Sequence, residues 1–373
     1  MASIKKRGDA WLVRIANVFN PNTGKTGTHT HTVRGTLKDA KAYATKVERD
    51  RDLGLIGEPS KISVGAYLDR WLSDGDRARP STSDHHAYFV SHYIKPVLGE
   101  KQLGRLSPLE IQGFYSHLSK RGLSPATIRR IHGLLSAALR RAKRLRLIND
   151  NPASEVDLPK LTKKEMRSLT VAEAQRFMET AQCDRYAALW AFALETGMRP
   201  GEYLALRWSD VDLDTGTATV QRSLVWRKDG QFEFSPPKTA KSRRKVPLSP
   251  GLVLELKAHK KAQAEERMAT GPAWKDQALV FAASNGGPIR RENLTKRHFK
   301  PLLKAAKLPD IRLYDLRHCT ATLLLAKGVN PKVVAERLGH SSITLTLDTY
   351  SHVLPDIQEQ ATNILGDLLF GSS

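Results

Sequence analysis

Five positions in the second half of the chain carry side chains suited to gripping an anion or moving a proton: Arg199, Lys238, Arg317, His340 and Tyr350. Arg199 follows a helix stop at Gly197 and precedes Pro200, so it stands at a helix N-terminus, where free N–H groups and the dipole already favour an anion. Its planar fork can hold two oxygens of one phosphate or pair with Glu202, and spacing leaves both readings open. Lys238, in "PPKTAKSRRK", lies between strands, where an ammonium can reach into a groove and donate a proton or be one more cation among its neighbours. Arg317 and His318 open the apolar helix of "IRLYDLRHCTATLLLAKG", and His340 emerges just past Gly339. Tyr350 sits among small polar residues in "LDTYSHV", which suits either a surface phenol or a reactive one.

The elements that must position these groups are marked by their caps. "SLTVAEAQRFMETA" opens with the capping box Thr170 and Glu173, and "DRYAALWAFALETGMRPGEYLALRWSDVDL" reads as two helices, the second opened by Pro200 with Glu202 in its first turn. In "TATVQRSLVWRKDGQFEFSPPKTAKSRRKVPLS" the "KDG" turn with alternating flanks predicts a β-hairpin, followed by a return strand at "RRKVPLS". "NPKVVAERLGH" has Asn330 as cap, Pro331 at the first helical position and Gly339 as stop.

Composition narrows the partner. Sixty Lys and Arg against 38 Asp and Glu leave +22 over 373 residues, a charge that calls for a polyanion, with nucleic acid ahead of a merely solvated basic surface. No apolar run of the roughly 18 residues needed to cross a bilayer occurs, the start "MASIKKRGDAW" has no apolar segment of a secretion signal, and no basic amphipathic helix suits a membrane surface. A cytosolic protein is the default. Cys183 and Cys319 are too few and too scattered for a disulfide framework or a thiolate zinc site and read as reduced, buried small hydrophobes.

The length allows two or three domains. Residues 1–60 form a small α+β unit: strands at "WLVRIANVF" and "THTHTVRG", turn chemistry in "NPNTGKTG" between them, and a helix to Gly54 opened by Thr36 and Asp39. His29 and His31 share one strand face, weak evidence for a metal without further ligands. Residues 61–158 read as all helical: Tyr67, Leu68, Trp71 and Leu72 share a face, Ser107 and Glu110 form a capping box, and Ser124 with Pro125 opens a long helix. Around its apolar stripe of Ile128, Ile131, Leu135 and Leu139 stand Arg129, Arg130, Arg140, Arg141, Lys143, Arg144 and Arg146. Almost no acidic partners accompany them, which tilts the helix from a solvated face toward phosphate contact. Residues 159–373 form the third unit, entered through the Pro- and Lys-rich "NDNPASEVDLPKLTKKEM".

"ETGMRPGEYLALRW", "PPKTAKSRRKVPL", "LYDLRH", "AERLGHSS" and "LDTYSHV", in this order and at these intervals, resemble the boxes of the tyrosine recombinase family, specifically integrases of phage and integrative elements. More loosely, the front unit resembles their arm-site-binding domain and the helical middle their SAM-like core-site-binding domain. The resemblance implies a multidomain protein whose last domain is mixed, mainly α, with a small antiparallel sheet. It implies that Tyr350 attacks a backbone phosphorus, leaving a 3′-phosphotyrosyl link and a free 5′-hydroxyl. Arg199 and Arg317 would neutralise the phosphoryl charge, His340 would hydrogen-bond the same group and Lys238 would protonate the departing oxygen. Arg129, Arg130, Lys241 and Arg243 are candidate DNA contacts. The scheme needs no cofactor and no metal, since the phosphotyrosyl bond keeps the energy of the diester and no carboxylate cluster for paired magnesium ions stands in the sequence.

One box departs from the family. Where it usually reads His, two residues, Arg, this chain has "YDLR", so Tyr314 replaces an imidazole with a phenol, a poorer base at neutral pH. His318 could substitute in part, although next to Arg317 on a helix its side chain is expected to point elsewhere. The resemblance further implies a homotetramer on double-stranded DNA with core and arm-type attachment sites, in a bacterial cytoplasm beside the nucleoid, integrating or excising a mobile element such as a viral genome. A DNA-bending host factor and a directionality factor are partners of that setting. A catalytically inactive DNA-binding regulator of the same fold and a type IB topoisomerase are the competing readings. The tail "LPDIQEQATNILGDLLFGSS", with Ile357, Ile364, Leu365, Leu368 and Leu369 near one helical face, is expected to pack on its own domain or, as in the family, on a neighbouring protomer.

Overall fold

The computed structural model describes residues 2–20, 25–52, 62–75, 80–161, 167–227, 229–237, 243–340, 342–350 and 357–370. Residues 21–24 of "NPNTGKTG", residues 162–166 of the connector, Lys228 of the "KDG" turn, and both Lys238 and Lys241 lie outside the described residues. The chain divides into two units, Met1–Lys163 and Lys164–Ser373.

The first unit contains two separate cores. Strands β1 (Ser3–Arg7), β2 (Ala10–Asn20) and β3 (Lys25–Arg34) form an antiparallel sheet in that order, and β1 is a strand the alternation pattern did not announce. Its burial shows why, since four of its five residues are exposed and the alternation signal needs a buried face. Helix α1 (Leu37–Asp52) starts where Thr36 and Asp39 exchange hydrogen bonds, and its Ala40, Ala44 and Val47 pack on Val13 and Ile15 of β2. His29 and His31 stack at 6.4 Å, and His31 stacks on Tyr43 at 4.7 Å. Among the described residues no third metal-ligating side chain joins them.

The second core is helical, with α2 (Val64–Gly75), α3 (Pro80–Phe89), a π-turn at Val90–Ile94, α4 (Lys95–Leu98), α5 (Pro108–Lys120) and α6 (Pro125–Arg144). The capping box of Ser107 with Glu110 opens α5, and Ser124 caps α6 with Pro125 at its first position. Tyr67, Leu68 and Trp71 of α2 are buried, and the Tyr67 hydroxyl donates to the Ala138 carbonyl of α6 at 2.7 Å. On α6 the stripe of Ile128, Ile131, Leu135 and Leu139 is buried while Arg130, Arg140, Lys143 and Arg144 stay exposed. Arg129 is partly diverted, its Nε donating to the Pro159 carbonyl at 2.9 Å.

The second unit begins with α7 (Val171–Ala181), capped by Thr170 and Glu173, then α8 (Ala187–Thr196) and the single-turn α9 (Pro200–Tyr203). Cys183 lies in the turn between α7 and α8 and is exposed, against the expectation that both cysteines are buried; only Cys319 is. A turn residue with no apolar face to join stays in water. The predicted hairpin is β6 (Ser223–Trp226) with β7 (Phe232–Ser235), but β8 (Arg244–Pro247) does not extend it. Instead β8 pairs with β5 (Thr217–Val220), beside the short β4 (Val211–Asp212), because Ala218 and Val246, opposite each other, share the main core.

Helices α10 (Pro250–Thr270), α11 (Arg291–Leu294), α12 (Lys300–Ala305), α13 (Asp315–Ala326), α14 (Pro331–Leu338), α15 (Ile343–Tyr350) and α16 (Ile357–Phe370) complete the unit. Leu189, Trp190, Phe192, Phe281 and Phe299 lie at the centre of its core. A smaller cluster of Ala321, Leu325, Val334, Leu338 and Tyr350 ties α13, α14 and α15 together. On α16, Leu365, Leu368, Leu369 and Phe370 are exposed, and no side chain of Ile357 or Ile364 is described. No described helix is long and apolar enough to cross a membrane.

Candidate active site

Helix ends converge on one carboxylate. Helix α8 stops at Gly197, in the left-handed region at φ 62°, and the chain turns into α9 through Arg199. A Cβ on Gly197 would stand 2.6 Å from Leu338 and 3.2 Å from Thr320, so only glycine fits where α8, α13 and α14 meet. Three residues past Arg199, Glu202 accepts from the Arg199 backbone N–H at 3.0 Å and from its Nη1 at 2.8 Å. Arg244 of β8 reaches the same carboxylate with Nη2 at 2.9 Å and donates Nε to the Arg337 carbonyl at 2.7 Å. Glu202 is 5% exposed, Arg244 7% and Arg199 34%. Arg199 therefore pairs with Glu202 and still keeps an open edge, so the two readings its spacing allowed are compatible.

Arg317 is the most deeply placed cation. Its Nη1 donates to the Gly197 carbonyl at 2.7 Å, one of the orphan acceptors at the end of α8, while its buried Nη2 has no acceptor among the described residues. Burial, and then the fields of Arg199 and Arg244, push its pKa down to about 10, opposed by Tyr314 and Glu202, so it is charged at neutral pH. Three guanidiniums thus surround a single buried carboxylate, and one of them holds out an unused N–H. That arrangement is short of negative charge and fits an anion.

Tyr350, at the end of α15, is no surface phenol. It is 3% exposed, in the cluster with Leu325 and Leu338, and burial raises its pKa above the ordinary phenol value while Arg317 pulls the other way. Its hydroxyl is hydrogen-bonded to His318 Nδ1. This corrects the expectation that His318 would point away. It does diverge from Arg317, but it lies one turn beyond Tyr314, at i+4, and that face of α13 looks toward Tyr350. Tyr314 stands just before α13, 38% exposed, with its ring edge-on to His318 at 5.3 Å.

His340 follows Gly339, the left-handed stop of α14, and its Nδ1 is hydrogen-bonded to Thr346 Oγ1 at 2.7 Å. Burial first, then Arg317, Arg199, His318 and Arg244, lower its pKa to about 4, so the ring is neutral at pH 7 and presents one N–H.

The structure therefore brings Arg199, Tyr314, Arg317, His340 and Tyr350 into one site. Lys238 and Lys241 lie outside the described residues, and Arg243 is an exposed residue leading into β8. Arg129 and Arg130 belong to the first unit. Sequence spacing missed Arg244 and turned His318 away from the site. Arg244 was hidden in a run of like charges, and only the alternation of β8, which turns Val246 and Arg244 to the same side, separates it from Arg243 and Lys245. His318 was legible from its i+4 relation to Tyr314.

Comparison with known proteins supplies the family. The ICEBs1 integrase of Bacillus subtilis (strain 168) is 28% identical over 371 residues, 98% of this chain and 100% of the relative. Among solved structures, the Tn1549 transposon integrase in complex with a circular intermediate DNA superposes with a TM-score of 0.71 at 21% identity, covering 82% of this chain and 99% of that one. A lambda integrase tetramer bound to a Holliday junction gives 0.57 at 19% identity, over 95% of both chains. These likenesses fix the fold, and residues 161–356, more than half of the chain, match the phage integrase family. The chain belongs to the phage integrase family and is a tyrosine recombinase.

Proposed function

We propose that this enzyme integrates and excises a mobile element by cleaving and rejoining double-stranded DNA at specific attachment sites, with Tyr350 as the nucleophile. The observation that carries the reading is a buried tyrosine within the field of Arg317, whose Nη2 lacks an acceptor among the described residues, in a site holding two further arginines. A scissile phosphate supplies the missing acceptor. As Tyr350 Oη bonds to phosphorus, charge builds on the nonbridging oxygens, and Arg199, Arg317 and neutral His340 stabilise it with preorganised donors. Lys238 protonates the departing 5′-oxygen, and the 3′-phosphotyrosyl link is later attacked by a 5′-hydroxyl, which restores the diester without a nucleotide.

In this reading residues 1–60 hold arm-type sites, 61–158 the core site through the exposed basic face of α6, and 159–373 carry out the chemistry as a homotetramer. Similar structures support it: one is an integrase on circular intermediate DNA, another an integrase tetramer on a Holliday junction. The exposed Leu368, Leu369 and Phe370 of α16 suit docking on a neighbouring protomer. A DNA-bending host factor and a directionality factor complete the assembly, which works on the chromosome in a bacterial cytoplasm.

The test is a nicked suicide duplex built from the direct-repeat junction that flanks the gene in its host. The wild-type enzyme accumulates covalent protein–DNA, and Tyr350→Phe accumulates none. Equal trapping by Tyr350→Phe would remove the nucleophile, and binding without any cleavage would leave a DNA-binding regulator.

A further inference from the structure

A phenol needs a base when it attacks phosphorus at neutral pH, and among the described residues the surroundings of Tyr350 contain few. Tyr314 is itself a phenol and offers no basic nitrogen. His340 has its Nδ1 engaged with Thr346. Asp315 has its carboxylate bound to Arg312, at 2.8 Å from Nη2, and to the Arg312 backbone N–H, also at 2.8 Å. The basic nitrogen in contact with the Tyr350 hydroxyl is Nδ1 of His318, with the His318 and Tyr350 rings 5.7 Å apart and tilted by 53°.

We propose that His318 is a catalytic residue: the general base that takes the Tyr350 proton during cleavage and returns it during strand joining. The inference rests on Tyr350 being the nucleophile.

The local structure prepares His318 for that role. Its backbone sits in the first turn of α13, next to Arg317, and its half-buried ring is held between Tyr314 and Tyr350. The titratable and charged groups around it are Tyr314, Asp315 and Arg317 on its own stretch, Arg312 just ahead, Tyr350 on α15 and His340 past α14. Burial lowers its pKa below the ordinary imidazole value, Asp315 opposes and Arg317 and Arg312 reinforce the shift, so the ring is neutral at pH 7. With its one proton on Nε2, Nδ1 is an acceptor for the phenol.

The step balances. The Oη–phosphorus bond forms and the phosphorus–O5′ bond breaks, the phenolic proton moves to Nδ1 and gives an imidazolium, and the 5′-oxygen takes its proton from Lys238. In joining, a 5′-hydroxyl attacks, the phosphotyrosyl bond breaks and the imidazolium hands the proton back. A neutral base beside Arg317 becomes a cation only as the substrate's phosphoryl group gains negative charge, so the proton moves with the attack and not ahead of it.

The experiment measures single-turnover cleavage of the same suicide duplex across pH. His318→Gln keeps a hydrogen-bonding side chain without a usable base, and the cleavage rate is expected to fall by about 10²- to 10⁴-fold with DNA affinity retained. The wild-type rate should decline as pH falls through the imidazole's range, a limb absent in His318→Gln, and imidazole added to His318→Ala should restore part of the rate. A duplex with sulfur in place of the scissile 5′-oxygen leaves without a proton; it should rescue Lys238→Ala and not His318→Gln. Cleavage by His318→Gln within threefold of wild type, an unchanged pH limb, or rescue of His318→Gln by the sulfur substrate would each overturn the assignment. Should Tyr350→Phe cleave, the reading beneath it falls instead, so the two failures are distinct.

Discussion

The carboxylate of Glu202 is, among the described residues, the negative charge that Arg199 and Arg244 share, and Glu202→Gln tests how much of the site's stability it supplies. The substitution keeps shape and volume but removes the charge and turns an N–H₂ toward donors. Its lost partners differ in weight. Arg199 is 34% exposed, and water screens that pair to about 1 kcal/mol or less. Arg244 is 7% exposed against a carboxylate 5% exposed, and breaking a buried pair from one side costs about 3–5 kcal/mol because the remaining charge stays buried. The hydrogen bond from Arg244 Nε to the Arg337 carbonyl softens that cost, so the expected loss is about 3 kcal/mol. For a unit of this size that lowers the melting temperature by about 6–12 °C.

Intrinsic tryptophan fluorescence of the full chain is a suitable assay, since Trp190, Trp208, Trp226 and Trp274 all lie in the second unit. The pH dependence supplies a sign check. Burial raises the Glu202 pKa, but Arg244 and then Arg199 outweigh it and leave the carboxyl below its ordinary range. A depressed folded-state pKa contributes stability that is complete above the unfolded value of about 4.3 and is lost as pH falls through the folded one. The gap between wild type and Glu202→Gln should therefore be widest at neutral pH and close below about pH 4. A Glu202→Gln protein that melts within 2 °C of wild type at pH 7, on the order of half a kcal/mol, would refute the reasoning.

Two further outcomes follow from named contacts. Arg317→Lys has one nitrogen in place of a planar fork and cannot set separate nitrogens at the Gly197 carbonyl and at the phosphate, so cleavage should fall by about 10²- to 10³-fold while fluorescence anisotropy shows unchanged DNA affinity. Gly197→Ala forces a Cβ to 2.6 Å from Leu338 at a positive φ, so denaturant unfolding should show a loss of about 2–4 kcal/mol, and a loss below about 0.5 kcal/mol would mean that α14 gives way freely.

Local chemistry made most of the helical frame legible. The boxes at Thr36, Ser107 and Thr170, the proline starts at Pro125, Pro200 and Pro331, and the stops at Gly197 and Gly339 are each settled by a few adjacent residues, and all appear where the spacing put them. Where the sequence left a pairing open, the deciding partner was elsewhere in the chain. The fate of β8 depends on Ala218 and not on the hairpin next to it in the chain, and β1 is an exposed edge that pairs without an alternating signal.

The same division runs through the site. The sequence by itself determined which residue types stand at which helix ends: Arg199 before α9, Arg317 in the first turn of α13 and His340 after the α14 stop. Only the tertiary structure decided that Glu202 answers both Arg199 and Arg244, that Arg317 keeps an N–H in hand and that His318 holds the phenol. Helix caps are short-range and can be read from neighbours in the chain. Which side chains share a buried pocket depends on helices separated by many residues, and burial then sets how strongly their charges act on one another.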